Sequence, residues 1–334
     1  MREQIARVVE GGDLEPAAVE QAMETILRGE ATPAQIAALI VALRMKGETA
    51  GELAAAARVM RRHAVPVRVT RSRIVLDTCG TGGDGSGSFN ISTAAAVVVA
   101  AAGTTVAKHG NRAATSRAGS ADVLEALGVP LDLAPERVGA CIDELGIGFM
   151  FARSHHPAMR HAAGVRAEIG VRTLFNLIGP LSNPAGATHQ LLGVADAAKL
   201  DTMAEVLRLL GVVAAWVVHG NGGLDEVSPS GPTRVTAVRD GHLEHFAVAP
   251  VDFGVEAVPT SSLRGGDAAH NAAMMRAVFA GERGPARDAV VINAAAALCV
   301  ADAANSPREG AVRAAQVIDS GAAREKLAAW VAFR

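Results

Sequence analysis

Over the first seventy residues, apolar positions return every three or four residues, the spacing of helices with one buried face. Pro16 to Arg28 keeps that period and stops at Gly29. Thr32-Pro-Ala-Gln35 is a capping box with proline at the first helical position, and it predicts a helix to about Arg44. Thr49-Ala-Gly-Glu52 repeats the signal and predicts a helix to about His63. From Arg73 the pattern changes to strand and helix in alternation. Ile74–Leu76, Thr104–Ala107, Ile147–Ala152, Gln190–Val194 and Val212–Val218 read as strands. Thr93–Ala102, Ser120–Gly128, Pro135–Leu145 and Ala197–Leu210 read as helices between them. The segment from Ala152 to Gln190, rich in Pro, Gly and Asn, interrupts the alternation and reads as a crossing between domains. Thr233–Val238 and His242–Val248, joined across Asp240-Gly241, predict a hairpin. Four helices close the chain, around Ala268–Ala280, Ala286–Ala304, Pro307–Asp319 and Ala322–Val331. Such alternation implies an α/β fold with a largely parallel sheet, and ligands beyond the carboxyl ends of its strands.

Composition narrows the partners. The 334 residues are half hydrophobic but only 3% aromatic, without a single Tyr, so the core must be Ala, Val, Leu and Ile. A formal charge of −2 lacks the basic excess of a duplex-binding protein. Cys79, Cys141 and Cys299 lie far apart and form no CxxC pair, which argues against a disulfide framework or a zinc site. The opening Met-Arg-Glu-Gln-Ile-Ala-Arg has no apolar signal region, and the longest apolar stretch is about half a membrane span. The expectation is a cytoplasmic protein with no membrane and no nucleic-acid partner.

Chemistry concentrates between Asp77 and Thr93, where glycines and hydroxyls surround a carboxylate, Asp84, just ahead of a predicted helix. Glycines let a backbone approach a ligand, and helix N-termini attract anions. Strand, glycine loop and helix in that order describe a phosphate cradle, with Gly80, Gly83, Asp84, Ser88, Asn90, Ser92 and Thr93 as its candidates. Neither the Lys-Ser/Thr ending of an ATPase loop nor a dinucleotide fingerprint is present. Lys108-His-Gly-Asn-Arg112, continuing through Thr115 and Ser116 to Ser120, follows the next strand; alone it reads rather as a solvated basic loop, but beside the glycine loop it suits a polyanion. His109 is open to two readings, a general base or a hydrogen-bonding wall. Leu224-Asp-Glu226 sets adjacent carboxylates beyond the strand ending at His219-Gly220, and such a pair beside a pyrophosphate suits Mg²⁺. Arg166, in the interrupting segment, is either a ligand cation or the partner of a surface carboxylate.

In order along the chain stand ALRMKG at 42–47, GTGGD at 80–84, NIST at 90–93, KHGN at 108–111, GSADVLEALG at 119–128, FNLIGPLSNPA at 175–185 and LDE at 224–226. Together they resemble the anthranilate phosphoribosyltransferases, over nearly the whole chain. The resemblance implies a small N-terminal helical domain, residues 1–70 completed by part of about 165–190, on a larger α/β domain, 71–334. That α/β domain is of the nucleoside phosphorylase/phosphoribosyltransferase type, with a mainly parallel central sheet. It also implies transfer of phosphoribose from phosphoribosyl pyrophosphate to anthranilate in tryptophan biosynthesis, Mg²⁺ as cofactor, and a homodimer formed through the helical part. By position, Gly80, Gly83, Asp84, Ser88, Asn90, Ile91, Ser92, Thr93, Lys108, Ser116 and Ser120 match the phosphoribosyl pyrophosphate site. Ser92, Asp225 and Glu226 match the Mg²⁺ ligands. Asn111 and Arg166 match the anthranilate contacts, with Gly80, His109 and Pro180 nearby. The chain departs from the family pattern at Ala118, where a hydroxyl is lost, and at Arg153, where proline is usual. A pyrimidine nucleoside phosphorylase shares the architecture but needs no metal for a pyrophosphate, and KHGN and LDE favour the transferase. A non-catalytic nucleic-acid-binding relative is opposed by the near-neutral charge and the scarcity of aromatics.

Overall fold

Proline in the first turn and threonine caps set the opening helices. In the computed structural model, which describes residues 1–113 and 117–334, Arg2–Val9, Pro16–Leu27, Pro33–Lys46 and Ala50–Arg62 are helical. Both predicted capping boxes form, Thr32 with Gln35 and Thr49 with Glu52. Glu52 is buried and accepts two further bonds, from the Leu14 N–H at 2.9 Å and the Lys46 ammonium at 2.9 Å. A capping residue thereby ties its own helix to the end of the preceding one and to the turn that leads into Pro16–Leu27.

Seven strands follow: β1 (Leu76–Gly80), β2 (Val106–Gly110), β3 (Ile147–Phe151), β4 (His189–Gly193), β5 (Ala214–His219), β6 (Thr233–Arg239) and β7 (His242–Val248). They form one sheet in the order β3-β2-β1-β4-β5-β6-β7, with the first five parallel and the last two antiparallel. The β6–β7 hairpin turns at Asp240 (φ 49°) and Gly241 (φ 80°), the two positive dihedrals that a tight primed turn demands.

Two strands run further than the hydrophobic pattern predicted. β1 extends through Asp77 and Thr78, and β2 through Lys108 and His109. Polar residues continue these strands because each finds a buried partner. Asp77 accepts from the His109 N–H at 3.1 Å and the Asn183 amide at 2.8 Å, and the Thr78 hydroxyl donates to the Ser92 carbonyl at 3.0 Å. The interrupting segment, read as a crossing between domains that in part completes the helical one, is helical over much of its length. It folds into helices Ala152–His155, Arg160–Ile169 and Leu174–Ile178, and the last two bury Ala162, Val165, Leu174, Phe175 and Ile178 in the same cluster as the opening helices.

Alanine and valine replace aromatics in the core as composition required. Ile91–Ala101 and Pro285–Val300 bury nearly their whole length against each other beneath the sheet. Ala268–Phe279, Pro307–Asp319 and Ala322–Ala332 complete that layer. The molecule is thus a small helical part joined to a larger α/β part with a mainly parallel sheet. Among the described residues no helix is long and apolar enough to cross a membrane.

Candidate active site

β1, β2 and β5 deliver their following loops to one end of the sheet. The glycine loop after β1 is stitched down at both ends: the Thr81 N–H donates to the Gly193 carbonyl at 2.9 Å, and Phe89 N–H to the Leu263 carbonyl at 3.0 Å. β1 and β4 end in Gly80 and Gly193, which pair in register. Any side chain on either would run into Asp225, so these glycines are what admit the Leu224-Asp-Glu226 turn against the loop. Asp225 Oδ2 then accepts from the Gly82 N–H at 2.7 Å, and Glu226 Oε1 from the Ser92 N–H at 3.0 Å. Ser92 lies in the first turn of Ile91–Ala101, whose N-terminal end therefore faces the same point.

The charges gathered here are poorly hydrated. Burial lifts the Glu226 carboxyl to about 8, and the neighbouring Asp225 charge adds to the lift. Burial lifts Asp225 to about 6, reinforced by the charge of Asp84. Asp84 Oδ2 is itself buried without a hydrogen-bond partner. Lys108, 2% exposed, donates to the Thr78 carbonyl at 2.5 Å; burial lowers its pKa against the opposing pull of Asp77. Three crowded carboxylates face Lys108 and, on the cavity wall, Arg172, which leaves the site short of positive charge. Among the described residues no three His, Cys, Asp or Glu side chains form a closed metal cage. An open pair of carboxylates is the donor set that suits Mg²⁺, which completes its shell with phosphate oxygens and water.

A cavity of about 350 Å³ is lined by Gly80, Gly83, Asp84, Ser88, Asn90, Ser92, Thr93, Lys108, His109, Asn111, Ser120, Asp225 and Glu226. Ile91, by contrast, turns its side chain into the core. Ser116, with Thr115, lies outside the described residues. Arg112 lines the cavity, yet its guanidinium is spent on Asp122 and Glu125, both at 2.8 Å.

A second cavity, about 560 Å³, meets the first at His109 and Asn111. Met60, Met159 and Phe175 give it an apolar wall, Arg153 and Arg160 also line it, and Arg166 reaches it with its guanidinium 5.4 Å from the centre of the Phe175 ring. Among the described residues no carboxylate pairs with Arg166, so the surface ion pair weighed from sequence does not form. Burial, then the nearby His156 and His155, hold His109 well below its usual pKa. It is a neutral wall at ordinary pH, with Nε2 unpartnered. Pro180 borders neither cavity: its carbonyl accepts from the Gln190 amide at 2.7 Å, and Gly179 takes the lining position.

Residues 72–324 match the model of the "Glycosyl transferase family, a/b domain", and residues 2–64 that of the "Glycosyl transferase family, helical bundle domain". The anthranilate phosphoribosyltransferase of Symbiobacterium thermophilum is 55% identical over 98% of this chain and 96% of that protein. The one from Thioalkalivibrio sulfidiphilus is 55% identical over 100% and 98%. The chain belongs to the anthranilate phosphoribosyltransferase family. Among solved structures, the anthranilate phosphoribosyltransferase of Thermus thermophilus superposes with a TM-score of 0.94 at 49% identity, covering 99% of this chain and 98% of that one. The Saccharomyces cerevisiae anthranilate phosphoribosyltransferase in complex with PRPP and Mg gives 0.90 at 27% identity, over 98% and 96%.

In this family member, sequence reasoning passed over two supports of the site. Asn183 bridges β1 and β2, its amide donating to Asp77 Oδ2 and to the Ala107 carbonyl, each at 2.8 Å. Arg172 crosses from the interrupting segment to the Thr81 carbonyl at 2.9 Å and lines the first cavity beside Asn176. Asn183 carried little signal, since it stands beside Ser182 and Pro184 in a segment rich in Pro, Gly and Asn. Arg172 carried none, because an arginine after a helix end is ordinary.

Proposed function

We propose that this protein transfers the phosphoribosyl group of 5-phosphoribosyl 1-pyrophosphate to the amine of anthranilate, releasing pyrophosphate, as a step of tryptophan biosynthesis. One observation carries the reading: a glycine-rich anion cradle and an apolar, arginine-bearing cavity meet at His109 and Asn111. A sugar pyrophosphate suits the first chamber and an aromatic acid the second, with their reacting atoms brought together at the junction.

On this reading Arg166 holds the anthranilate carboxylate and the ring lies among Met60, Met159 and Phe175. The cradle of Gly80, Gly83, Asp84, Ser88, Asn90, Ser92, Thr93, Lys108 and Ser120 holds the sugar and its phosphates. An aromatic amine is nucleophilic without prior deprotonation, so a neutral His109 that bounds the passage is consistent with a site lacking a strong base. Lys108 and the backbone N–H groups of the loop and helix start stabilise the negative charge that grows on the departing pyrophosphate. Asp225, Glu226 and Ser92 would hold Mg²⁺, supported by their raised carboxyl pKa values and the orphaned oxygen of Asp84. Bound there, the ion would offset pyrophosphate charge as a Lewis acid.

The same reading places a helical unit at 1–70, completed by part of about 165–190, on an α/β unit at 71–334, in a cytoplasmic homodimer. The deciding experiment follows the loss of anthranilate fluorescence on adding phosphoribosyl pyrophosphate, with Mg²⁺ and with chelator. Steady signal under both conditions would overturn the assignment.

A further inference from the structure

The glycine loop has a second hollow on its outer side, about 400 Å³, walled by Gly83, Asp84, Gly87, Arg117, Arg172 and Arg264. All three arginines are exposed, and among the described residues none is held by a carboxylate in an ion pair. Gly83, Gly85 and Gly87 take φ of 77°, 68° and 64°, the kind of turning backbone that forms anion-binding concavities. Both flanks are anchored. Arg172 donates to the Thr81 carbonyl at 2.9 Å, and the Gly265 N–H beside Arg264 donates to the Gly87 carbonyl at 2.8 Å. Gly83, Asp84, Gly87 and Arg172 border this hollow and the transfer cavity alike, so the two are contiguous.

We propose that this hollow is an exit subsite for inorganic pyrophosphate. The proposal rests on the transferase reading, in which the anthranilate nitrogen bonds to C1 of the ribose while the C1–O bond breaks. The bonding pair leaves on pyrophosphate, and the amine proton passes to water. The freed anion gains charge at that moment. In the transfer cavity it lies among Asp84, Asp225 and Glu226, with Lys108 and Arg172 as the cations left to meet it. In the outer hollow it meets three guanidinium groups against the single carboxylate of Asp84. That gradient draws product outward along the loop, and arginine is suited to bind phosphate oxygens two at a time.

The test is product inhibition at fixed free Mg²⁺, using sodium pyrophosphate with the wild type, the Arg117→Ala/Arg264→Ala pair and the Arg117→Lys/Arg264→Lys pair. Removing charge-assisted bonds should raise the inhibition constant of pyrophosphate by roughly tenfold or more. The KM for phosphoribosyl pyrophosphate should stay within about twofold, and lysine should recover part of the loss by keeping the charge. An unchanged inhibition constant overturns the proposal, and so does a substrate KM that rises in step, since the arginines would then read the substrate. Calorimetric titration with pyrophosphate decides the question for a variant with altered turnover. It also separates the two claims: a wild type that binds pyrophosphate with arginine dependence but leaves anthranilate untouched refutes the reaction, not the subsite.

Discussion

Gly193→Ala tests the geometry that unites the site. A Cβ built on Gly193 falls on the main-chain carbonyl of Asp225, more than 1 Å inside the 3.0 Å that real Cβ contacts respect. Nothing flexible stands there to rotate away, so the backbone of the Asp225-Glu226 turn must retreat by at least that distance. Displacing reacting groups by about 1 Å costs roughly a hundredfold in rate, and forcing a methyl into a filled space costs about 1–3 kcal/mol of stability. The expected result is kcat/KM lowered about a hundredfold by the fluorescence assay, a weakened Mg²⁺ titration, and a modestly lower unfolding midpoint. Gly80→Ala should do less, because the nearest obstacle is the Asp225 side chain and its carbonyl stands at 3.2 Å. Gly164→Ala, with nothing within 4 Å, is the control. A Gly193→Ala enzyme with wild-type turnover and metal titration would refute the claim that this close approach positions the carboxylates.

Arg166→Ala removes a charge-assisted contact of about 1.5–3 kcal/mol and should raise the anthranilate KM roughly ten- to a hundredfold; an unchanged KM would take Arg166 out of the site. Asp225→Ala with Glu226→Ala should abolish the ordinary Mg²⁺ dependence of turnover, and a wild-type metal titration would refute the ligand assignment. Asn183→Ala deprives the buried Asp77 carboxylate of its side-chain donor. The loss should be about 1–3 kcal/mol in denaturant titration, and a midpoint like wild type would contradict it. Glu226 is raised in the folded state, so its contribution to stability is full below the unfolded carboxyl value of 4.5 and is lost as pH rises through about 8. Measured in chelator, Glu226→Gln should therefore gain stability on the wild type between about pH 6 and 9, and parallel curves would sink the argument.

What could be read from sequence was what local chemistry decides. Thr32 and Thr49 announced their helices because a capping box is complete within four residues. Asp240-Gly241 announced its turn for the same reason. The glycine loop, KHGN and Leu224-Asp-Glu226 were legible as chemistry because anion- and cation-friendly residues recur beyond strand after strand. The extent of β1 and β2 was not legible. Asp77 and Lys108 look like the ends of apolar runs, and only partners dozens of residues away let them lie within strands. The segment from Ala152 to Gln190 reads only as a crossing between domains, because its proline and glycine content hides two helices that need the opening helices to bury their faces. Arg172 is the extreme case, since its importance comes wholly from where that packing points it.

The proposed metal requirement traces to the way β1 and β2 share one cation. Asp77 is fully buried and Glu226 half-buried on the cavity wall, and both draw on Lys108. Asp77 also has the Asn183 amide and the His109 N–H, and it rises only to about 6. Glu226 has the Ser92 N–H and faces Asp225, and it rises to about 8. The Lys108 ammonium, hydrogen-bonded to the Thr78 carbonyl, thus lends its field to Asp77 as well as to Glu226 without an ion pair to either. What remains of its field is too little to keep Glu226 and Asp225 ionised together, and that residue of uncompensated charge is what a divalent cation arriving with a pyrophosphate would neutralise. A lysine free of Asp77 would compete with the metal for the same carboxylates. The buried aspartate on β1 thus divides the field of Lys108, which leaves the paired carboxylates of the cradle a counter-charge that only an added cation would complete.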